Sequence, residues 1–122
     1  MSVSVLVVDD SPIARKMLIR ALPADWDIEI TQATGGAEAL AAYRAGKVEV
    51  MFLDLTMPDI DGYQVLETLR REDMNCLVIV VSADIQPAAV DRVLAMGAIA
   101  FVRKPVDATK IEAVLRQYGI VV

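Results

Sequence analysis

Four short apolar runs each stop at a polar residue, and this pattern constrains the fold more than any other feature of the chain. Val5-Leu6-Val7-Val8 ends at Asp9-Asp10, Val50-Met51-Phe52-Leu53 at Asp54, and Leu77-Val78-Ile79-Val80-Val81 at Ser82. Ile99-Ala100-Phe101-Val102 passes through Arg103 to Lys104-Pro105. None of these runs alternates apolar with polar residues. A strand with one face in water alternates; an unbroken apolar run reads as a strand buried on both faces, the mark of a parallel sheet covered by helices. Ligands of open α/β sheets sit outside the carboxyl ends of the strands. Three carboxylates, a hydroxyl and an ammonium are therefore expected along one edge.

The stretches between the runs carry helix signals. Ser11 and Pro12 suit an N-cap and a first helical turn. The helix they open carries Ile13, Met17, Leu18 and Leu22 at helical spacing and stops before Pro23. A second strand is expected near 27–31. Thr34 is expected to cap a helix over 35–43, and a third strand follows over 48–53. Pro58, Asp59, Asp61 and Gly62 make a turn-rich loop after Asp54. A third helix then buries Val65, Leu66 and Leu69 and ends near Arg71. Pro87 starts a fourth helix that Gly97 stops as a C′ glycine. Asp107 caps a fifth, which ends near Tyr118. Strands and helices alternate with short connections, so the expected fold is a doubly wound α/β sheet, helices on both faces. The flavodoxin-like order 2-1-3-4-5 suits five parallel strands and puts its switch point between strands 1 and 3. Asp9, Asp10 and Asp54 end those two strands.

A length of 122 residues suits one domain over 1–122, with a real core. Nothing approaches the apolar stretch of roughly 18 residues that spans a bilayer. The opening Met1-Ser2-Val3-Ser4 lacks a positive n-region, and the lone Cys76 has no internal disulfide partner. These features point to the cytoplasm, without membrane insertion. A net charge of −5 disfavours direct nucleic-acid binding. The chain has no histidine, which excludes Ser-His and Cys-His pairs within it. Any histidine chemistry must come from a partner.

Adjacent acids facing a third across a crevice crowd negative charge, and a cation relieves it. Mg²⁺ fits, because it takes oxygen ligands and commonly uses one or two carboxylates with a phosphate oxygen. A carboxylate can also act as a nucleophile toward phosphorus. Lys104 would then pair with one phosphoryl oxygen and Ser82 with another. Each residue also has an ordinary explanation: Asp10 as an N-cap, Ser82 as a turn residue, Lys104 as a solvated charge. Capping explains Asp54 poorly, since a loop follows it. Arg15, Lys16 and Arg20 read as a solvated helix face, and Cys76 as a small hydrophobe. Met17, Met57, Met74 and Met96 read as core fillers and Trp26 as packing. Gly35-Gly36 lacks the pattern of a phosphate loop.

Taken together, Val5-Leu-Val-Val-Asp9-Asp10-Ser11, Leu53-Asp54-Leu-Thr-Met-Pro58-Asp-Ile-Asp61-Gly62, Val81-Ser82-Ala83 and Phe101-Val-Arg-Lys104-Pro105 resemble the receiver domain of two-component response regulators. The stand-alone, CheY-like chemotaxis type is the nearest in pattern. The resemblance runs from Val5 to Tyr118, which leaves no effector domain within these residues. It implies Asp54 as phospho-acceptor, Asp9 and Asp10 as the acids that organise Mg²⁺, and a metal ligand in the Thr56 backbone carbonyl. It further implies Ser82 as the switch hydroxyl, Lys104 as the phosphate partner and Phe101 as an aromatic that turns inward on activation. A cis Lys104-Pro105 bond is implied as well. The implied partners are a histidine kinase or phosphotransfer protein, a phosphatase, and a downstream target. That target would dock on the face of helix 4, strand 5 and helix 5, which includes Arg92, Arg103 and Lys110. The implied function is a signalling switch that catalyses its own phosphorylation and dephosphorylation. Thr56 and Ala83-Asp84 depart from the chemotaxis pattern at positions that flank the phosphoryl group. Phe101 lacks the hydroxyl of the tyrosine often found there.

Three rival readings differ at identifiable residues. A receiver that works without phosphorylation would not need the intact set Asp9, Asp10, Asp54, Ser82 and Lys104. A haloacid-dehalogenase-like phosphatase needs an acid two residues after its nucleophile, where Thr56 stands. A flavodoxin needs a hydroxyl- and glycine-rich loop after strand 1, where this chain has two acids.

Overall fold

Strands and helices alternate through residues 2–46, 48–83 and 86–121, which the computed structural model describes. In chain order they are β1 (Val3–Val8), α1 (Pro12–Ala21), β2 (Ile28–Ala33), α2 (Gly36–Arg44), β3 (Val50–Asp54), α3 (Gly62–Arg71), β4 (Leu77–Ser82), α4 (Pro87–Ala95), β5 (Ala100–Arg103) and α5 (Ala108–Gln117). All strand pairs are parallel, in the expected order β2-β1-β3-β4-β5.

The register explains why the apolar runs do not alternate. Successive side chains of a strand point to opposite faces. Leu6 and Val8, Met51 and Leu53, and Val78 and Val80 join one core with Ala39 and Leu40 of α2, Leu66 and Leu69 of α3, and Val93 of α4. Val5 and Val7, Val50 and Phe52, and Ile79 and Val81 join a second core with Leu18 of α1 and Ile111 and Leu115 of α5. Both faces are dry, so both sets of positions must be apolar. Burying such a side chain contributes roughly 1.5–3 kcal/mol.

Most local signals act as expected. The Ser11 hydroxyl accepts from the Ala14 N–H at 3.2 Å, and the Asp107 carboxylate from the Lys110 N–H at 2.8 Å. Gly97 follows the α4 C-cap with φ of +106°, in the left-handed region that favours glycine. The Lys104-Pro105 bond is cis. At α3 the Asp61 carboxylate accepts from the Gln64 N–H, and the Gln64 side chain accepts from the Asp61 N–H, a closed capping box.

Two expectations need correction. Thr34 does not cap α2. The N-cap is Gly35, and the free N–H groups of Gly36 and Ala37 donate to the Asp59 carboxylate, both at 3.2 Å, from the loop after β3. Thr34 instead donates its N–H and hydroxyl to Glu38, both at 2.6 Å. This arrangement also accounts for Gly35-Gly36. A Cβ at Gly35 would lie 2.7 Å from the Asp59 carboxylate, and one at Gly36 would lie 2.6 Å from the Ile60 carbonyl oxygen. The pair is small so that the loop can seat on the helix end. The second correction concerns α1. Ile13 is 72% exposed and Met17 45%. The buried stripe is Leu18, Ala21 and Leu22. At 3.6 residues per turn, Met17 and Ile13 sit roughly 100° and 140° away from it. The other methionines behave as core fillers: Met57 is buried, and Met74 and Met96 pack on the first core.

Asp59→Ala should lower the thermal midpoint by a few degrees, because two helix N–H groups lose their acceptor. Hydrogen bonds from the N–H of Ile60, then Ala37, hold the Asp59 carboxyl below its usual range. The sign follows: the cap's contribution is complete above the ordinary carboxylate range and is lost as acid protonates Asp59 below it. The wild-type advantage over Asp59→Ala, measured by thermal melts across pH, should shrink only in acid. An equal midpoint at neutral pH would contradict the capping role.

Candidate functional site: an acid cluster at the sheet's switch point

After β1 the chain crosses to β2 on one side; after β2 it crosses back to β3 on the other. The two crossovers leave a crevice above the carboxyl ends of β1 and β3. Asp9 and Asp10 follow β1, and Asp54 is the last residue of β3. The structure brings all three together: one carboxylate oxygen from each lies within 4.8 Å of the others. Asp9 and Asp54 are each only 6% exposed, while Asp10 is exposed.

Lys104, just past β5, reaches across this edge. Its Nζ lies 2.8 Å from Asp9 Oδ2 and 3.3 Å from Asp54 Oδ1. The Lys104 N–H donates to the Ser82 carbonyl at 2.9 Å, which ties the ends of β4 and β5. Ser82, the last residue of β4, is buried at the same edge. Asp9 is held from two further directions. Its Oδ1 accepts from the Ser11 N–H at 2.9 Å, and its N–H donates to the Ala33 carbonyl at 3.1 Å.

One ammonium serves two carboxylates, and the electrostatics reflect this. Burial pushes the Asp54 carboxyl above its usual range, the charge of Asp9 adds to the effect, and Lys104 opposes it. Burial works against the Lys104 ammonium, but its hydrogen bond to Asp9 and the attraction of Asp54 outweigh this and hold its pKa up. Lys104 is thus well compensated and Asp54 is not. Three oxygen donors with surplus negative charge fit a small hard cation, and Mg²⁺ chemistry suits such a set.

A cavity of about 330 Å³ opens beside the acids. Ala14, Met17, Leu18 and Phe52 line its apolar side, with Asp54 and Lys104 also in its wall. Thr56, two residues after Asp54, is exposed on the following loop. Phe101 lies on β5, half-buried against the first core. Ala83 is exposed, and Asp84 lies outside the described residues.

Of the cations expected on the outer face, the Arg92 guanidinium stacks over the Tyr63 ring, 3.9 Å from its centroid, and so links α4 to α3. Lys110 is engaged too, donating to the carbonyls of Pro105 at 2.9 Å and Arg103 at 3.4 Å. Cys76 is half-buried, and burial pushes its thiol up to about 11, which suits the packing reading. Arg15 is not the solvated residue its helix position suggested. It donates to the Asp9 carbonyl at 2.7 Å and to Gln32 at 2.9 Å. Its spacing from Asp9 carries no signal that distinguishes it from Lys16 or Arg20.

Fold and site define a doubly wound α/β domain whose switch-point crevice holds three acids and a lysine. The chain belongs to the response regulator receiver domain family, which matches residues 5–116. It is 39% identical over 105 residues to protein-glutamate methylesterase/protein-glutamine glutaminase 3 of Anaeromyxobacter dehalogenans, covering 84% of this chain but 31% of that protein. It is 31% identical over 113 residues to the chemotaxis protein CheY of Thermotoga maritima, covering 93% of this chain and 94% of that protein. The chain spans about half the length of the NarL-type transcriptional regulators of Mycobacterium tuberculosis that it matches, 51%. The solved receiver domain of NarL from that organism superposes with a TM-score of 0.85 at 35% identity, covering 97% of each chain. A CheX-CheY-BeF3-Mg+2 complex from Borrelia burgdorferi gives 0.85 at 32% identity, covering 95% of this chain and 89% of that one. The family is that of two-component and chemotaxis signalling proteins. Among the described residues no helix is long and apolar enough to cross a membrane.

Proposed function

We propose that this receiver domain is a phospho-accepting switch that takes a phosphoryl group onto Asp54 from a phosphohistidine of a kinase or phosphotransfer protein. The observation that carries the reading is the position of Asp54: buried, grouped with Asp9 and Asp10, and 3.3 Å from the Lys104 ammonium. A carboxylate oxygen of Asp54 attacks phosphorus, the bond from phosphorus to the imidazole nitrogen breaks, and that nitrogen keeps the electron pair. Asp9, Asp10, Asp54 and the Thr56 backbone carbonyl would hold Mg²⁺. When bound, the ion neutralises charge between the carboxylates and the phosphoryl oxygens. Lys104 shifts from Asp54 to a phosphoryl oxygen, and the Ser82 hydroxyl donates to another. Attack by water on phosphorus restores the carboxylate and releases phosphate. Thr56 and Ala83 flank that path.

The chain has no histidine, so any phosphohistidine donor belongs to a partner. The apolar cavity beside Asp54 offers that partner a footing. The Borrelia relative bound to Mg²⁺ and beryllofluoride supports the same choice of ion. The reading takes residues 1–122 as one receiver domain in the cytoplasm, where such kinases act; a phosphatase is a further partner. Incubation with acetyl phosphate and Mg²⁺ tests it. One phosphoryl group should be added, as a base-labile acyl phosphate. No adduct, or one that forms equally without a divalent cation, would defeat the reading.

The output step adds a second expectation. Phosphorylation draws Ser82 toward the phosphoryl oxygen. The small Ala83 leaves space beneath the loop, and Phe101 rotates into it from the neighbouring strand. The face of α4, β5 and α5 changes shape, with Arg103 on it, and a downstream partner reads the change. Complete reversal of a two-state population from 1:99 to 99:1 needs about 5.5 kcal/mol of differential binding. Phe101 has no phenolic hydroxyl, so packing alone separates its rotamers. NMR spectra with and without beryllofluoride and Mg²⁺ should show large shifts at Ser82, Phe101 and along α4. Spectra unchanged beyond the immediate neighbours of Asp54 would rule out this output route.

A further inference from the structure

We propose that Arg15 is a positioning residue for the acid cluster and that it acts through the main chain of Asp9. The proposal rests on the reading that the cluster holds a divalent cation. Arg15 lies in α1, yet its guanidinium reaches back over the loop it follows. Nη1 donates to the Asp9 carbonyl at 2.7 Å, and Nε donates to the Gln32 side-chain oxygen at 2.9 Å. Gln32 sits on the edge strand β2, in register with Val7 of β1. One planar fork therefore joins α1, the end of β1 and the sheet edge.

The geometry matters because of what the Asp9 carbonyl belongs to. A peptide unit is planar, so the Asp9 oxygen and the Asp10 Cα lie in one rigid plane. Holding that oxygen fixes the plane from which the Asp10 side chain departs. Asp9 itself is already set by Ser11, Lys104 and Ala33. Asp10 is exposed, and its approach to the other two acids depends on the peptide plane. Arg15 thus contributes to the orientation of the acid pair without touching a cation.

A purely electrostatic role predicts the opposite sign. A guanidinium near carboxylates repels a divalent cation, so its removal should tighten cation binding. A clamp predicts weaker binding. A merely structural role predicts a lower melting midpoint with unchanged affinity in the folded protein. Lysine separates charge from clamp, because a single ammonium cannot reproduce a rigid fork between two acceptors.

The test measures Mg²⁺ affinity by NMR titration of the full chain, unsubstituted and as Arg15→Met, Arg15→Lys and Gln32→Met. Arg15→Met should weaken Mg²⁺ binding about tenfold, the scale of outer-shell substitutions at metal sites. Arg15→Lys should resemble Arg15→Met, and Gln32→Met should show a smaller weakening. With acetyl phosphate, the Mg²⁺ concentration for half-maximal rate should rise while the rate at saturating Mg²⁺ is kept. Unchanged or tighter Mg²⁺ binding in Arg15→Met overturns the proposal, as does full affinity in Arg15→Lys. If Arg15→Met does not fold, Gln32→Met decides, and unchanged affinity there overturns it. Absence of Mg²⁺ binding by the unsubstituted protein would remove the reading of the site and this proposal together. Normal binding that no substitution alters would remove this proposal alone.

Discussion

Asp54→Asn will take no phosphoryl group from acetyl phosphate and Mg²⁺ under conditions that label the unsubstituted protein. An amide oxygen is a poor nucleophile, and among the described residues no other carboxylate has the same surroundings. Asp9 is committed to Ser11 and Lys104, and Asp10 is exposed. The loss should be complete by mass spectrometry, and equal labelling of the variant would displace Asp54 from its role. Without a cation, burial and Asp9 raise the Asp54 pKa, so its carboxylate form is lost as pH falls through a value above the ordinary carboxylate range. The same shift has a consequence for stability, with its sign fixed by linkage. A carboxyl whose folded pKa is raised costs stability while ionised, and the cost is relieved as pH falls through that pKa. In chelator at neutral pH, Asp54→Asn should therefore melt at a higher temperature than the unsubstituted protein. The gap should narrow in acid. With Mg²⁺ present the order should move the other way, because a ligand stabilises the form that binds it.

Gly62→Ala should be the most destabilising single-methyl change near the site. Gly62 is the first residue of α3, and its N–H donates to the Leu55 carbonyl at 3.0 Å. A Cβ there would stand 2.5 Å from the Asp54 carbonyl oxygen and 2.8 Å from the Leu55 Cα. Both obstacles are backbone, so no side chain can swing aside. Either α3 or the end of β3 must move. Overpacking of this kind costs on the order of 3 kcal/mol. For a domain of this size that is a drop of about 10 °C in midpoint. The same displacement shifts Asp54, so labelling should slow as well. Urea denaturation should show a lower midpoint with an unchanged slope. Gly46→Asn is a suitable contrast. Gly46 has a φ of +77° and nothing within 4 Å of a built Cβ, and asparagine tolerates that backbone region. A Gly62→Ala midpoint no lower than that of Gly46→Asn would contradict the close approach.

Much of this fold could be read from local sequence because local physics encodes it. An unbroken apolar run followed by a polar residue states both that a strand is buried on two faces and where it stops. Ser11, Asp107 and Gly97 act within a few residues of themselves, so their caps were legible. Strand limits were less legible: β2 runs over Ile28–Ala33 and β3 over Val50–Asp54, each shifted toward its carboxyl end. A ladder's end is set by the neighbouring strand, which a single segment does not contain.

The sequence by itself determined the two-faced strands, the alternation with helices, and the residue types Asp9, Asp10, Asp54, Ser82 and Lys104 at the strand ends. Only the tertiary structure decided what meets across the crevice and with which geometry. The amphipathic spacing of α1 was compatible with a buried Ile13 and Met17, but the angle at which the helix lies on the sheet leaves both exposed. Asp59 stands 23 residues from Gly36, and only the path of the loop after β3 brings its carboxylate to the start of α2. Arg15 is one of three basic residues on a short helix, and its place near the start of α1 together with the helix's rotation selects it to hold the Asp9 carbonyl. Periodicity reports which face of an element is apolar. Contacts between elements depend on how those faces are docked, and docking is a property of the whole core.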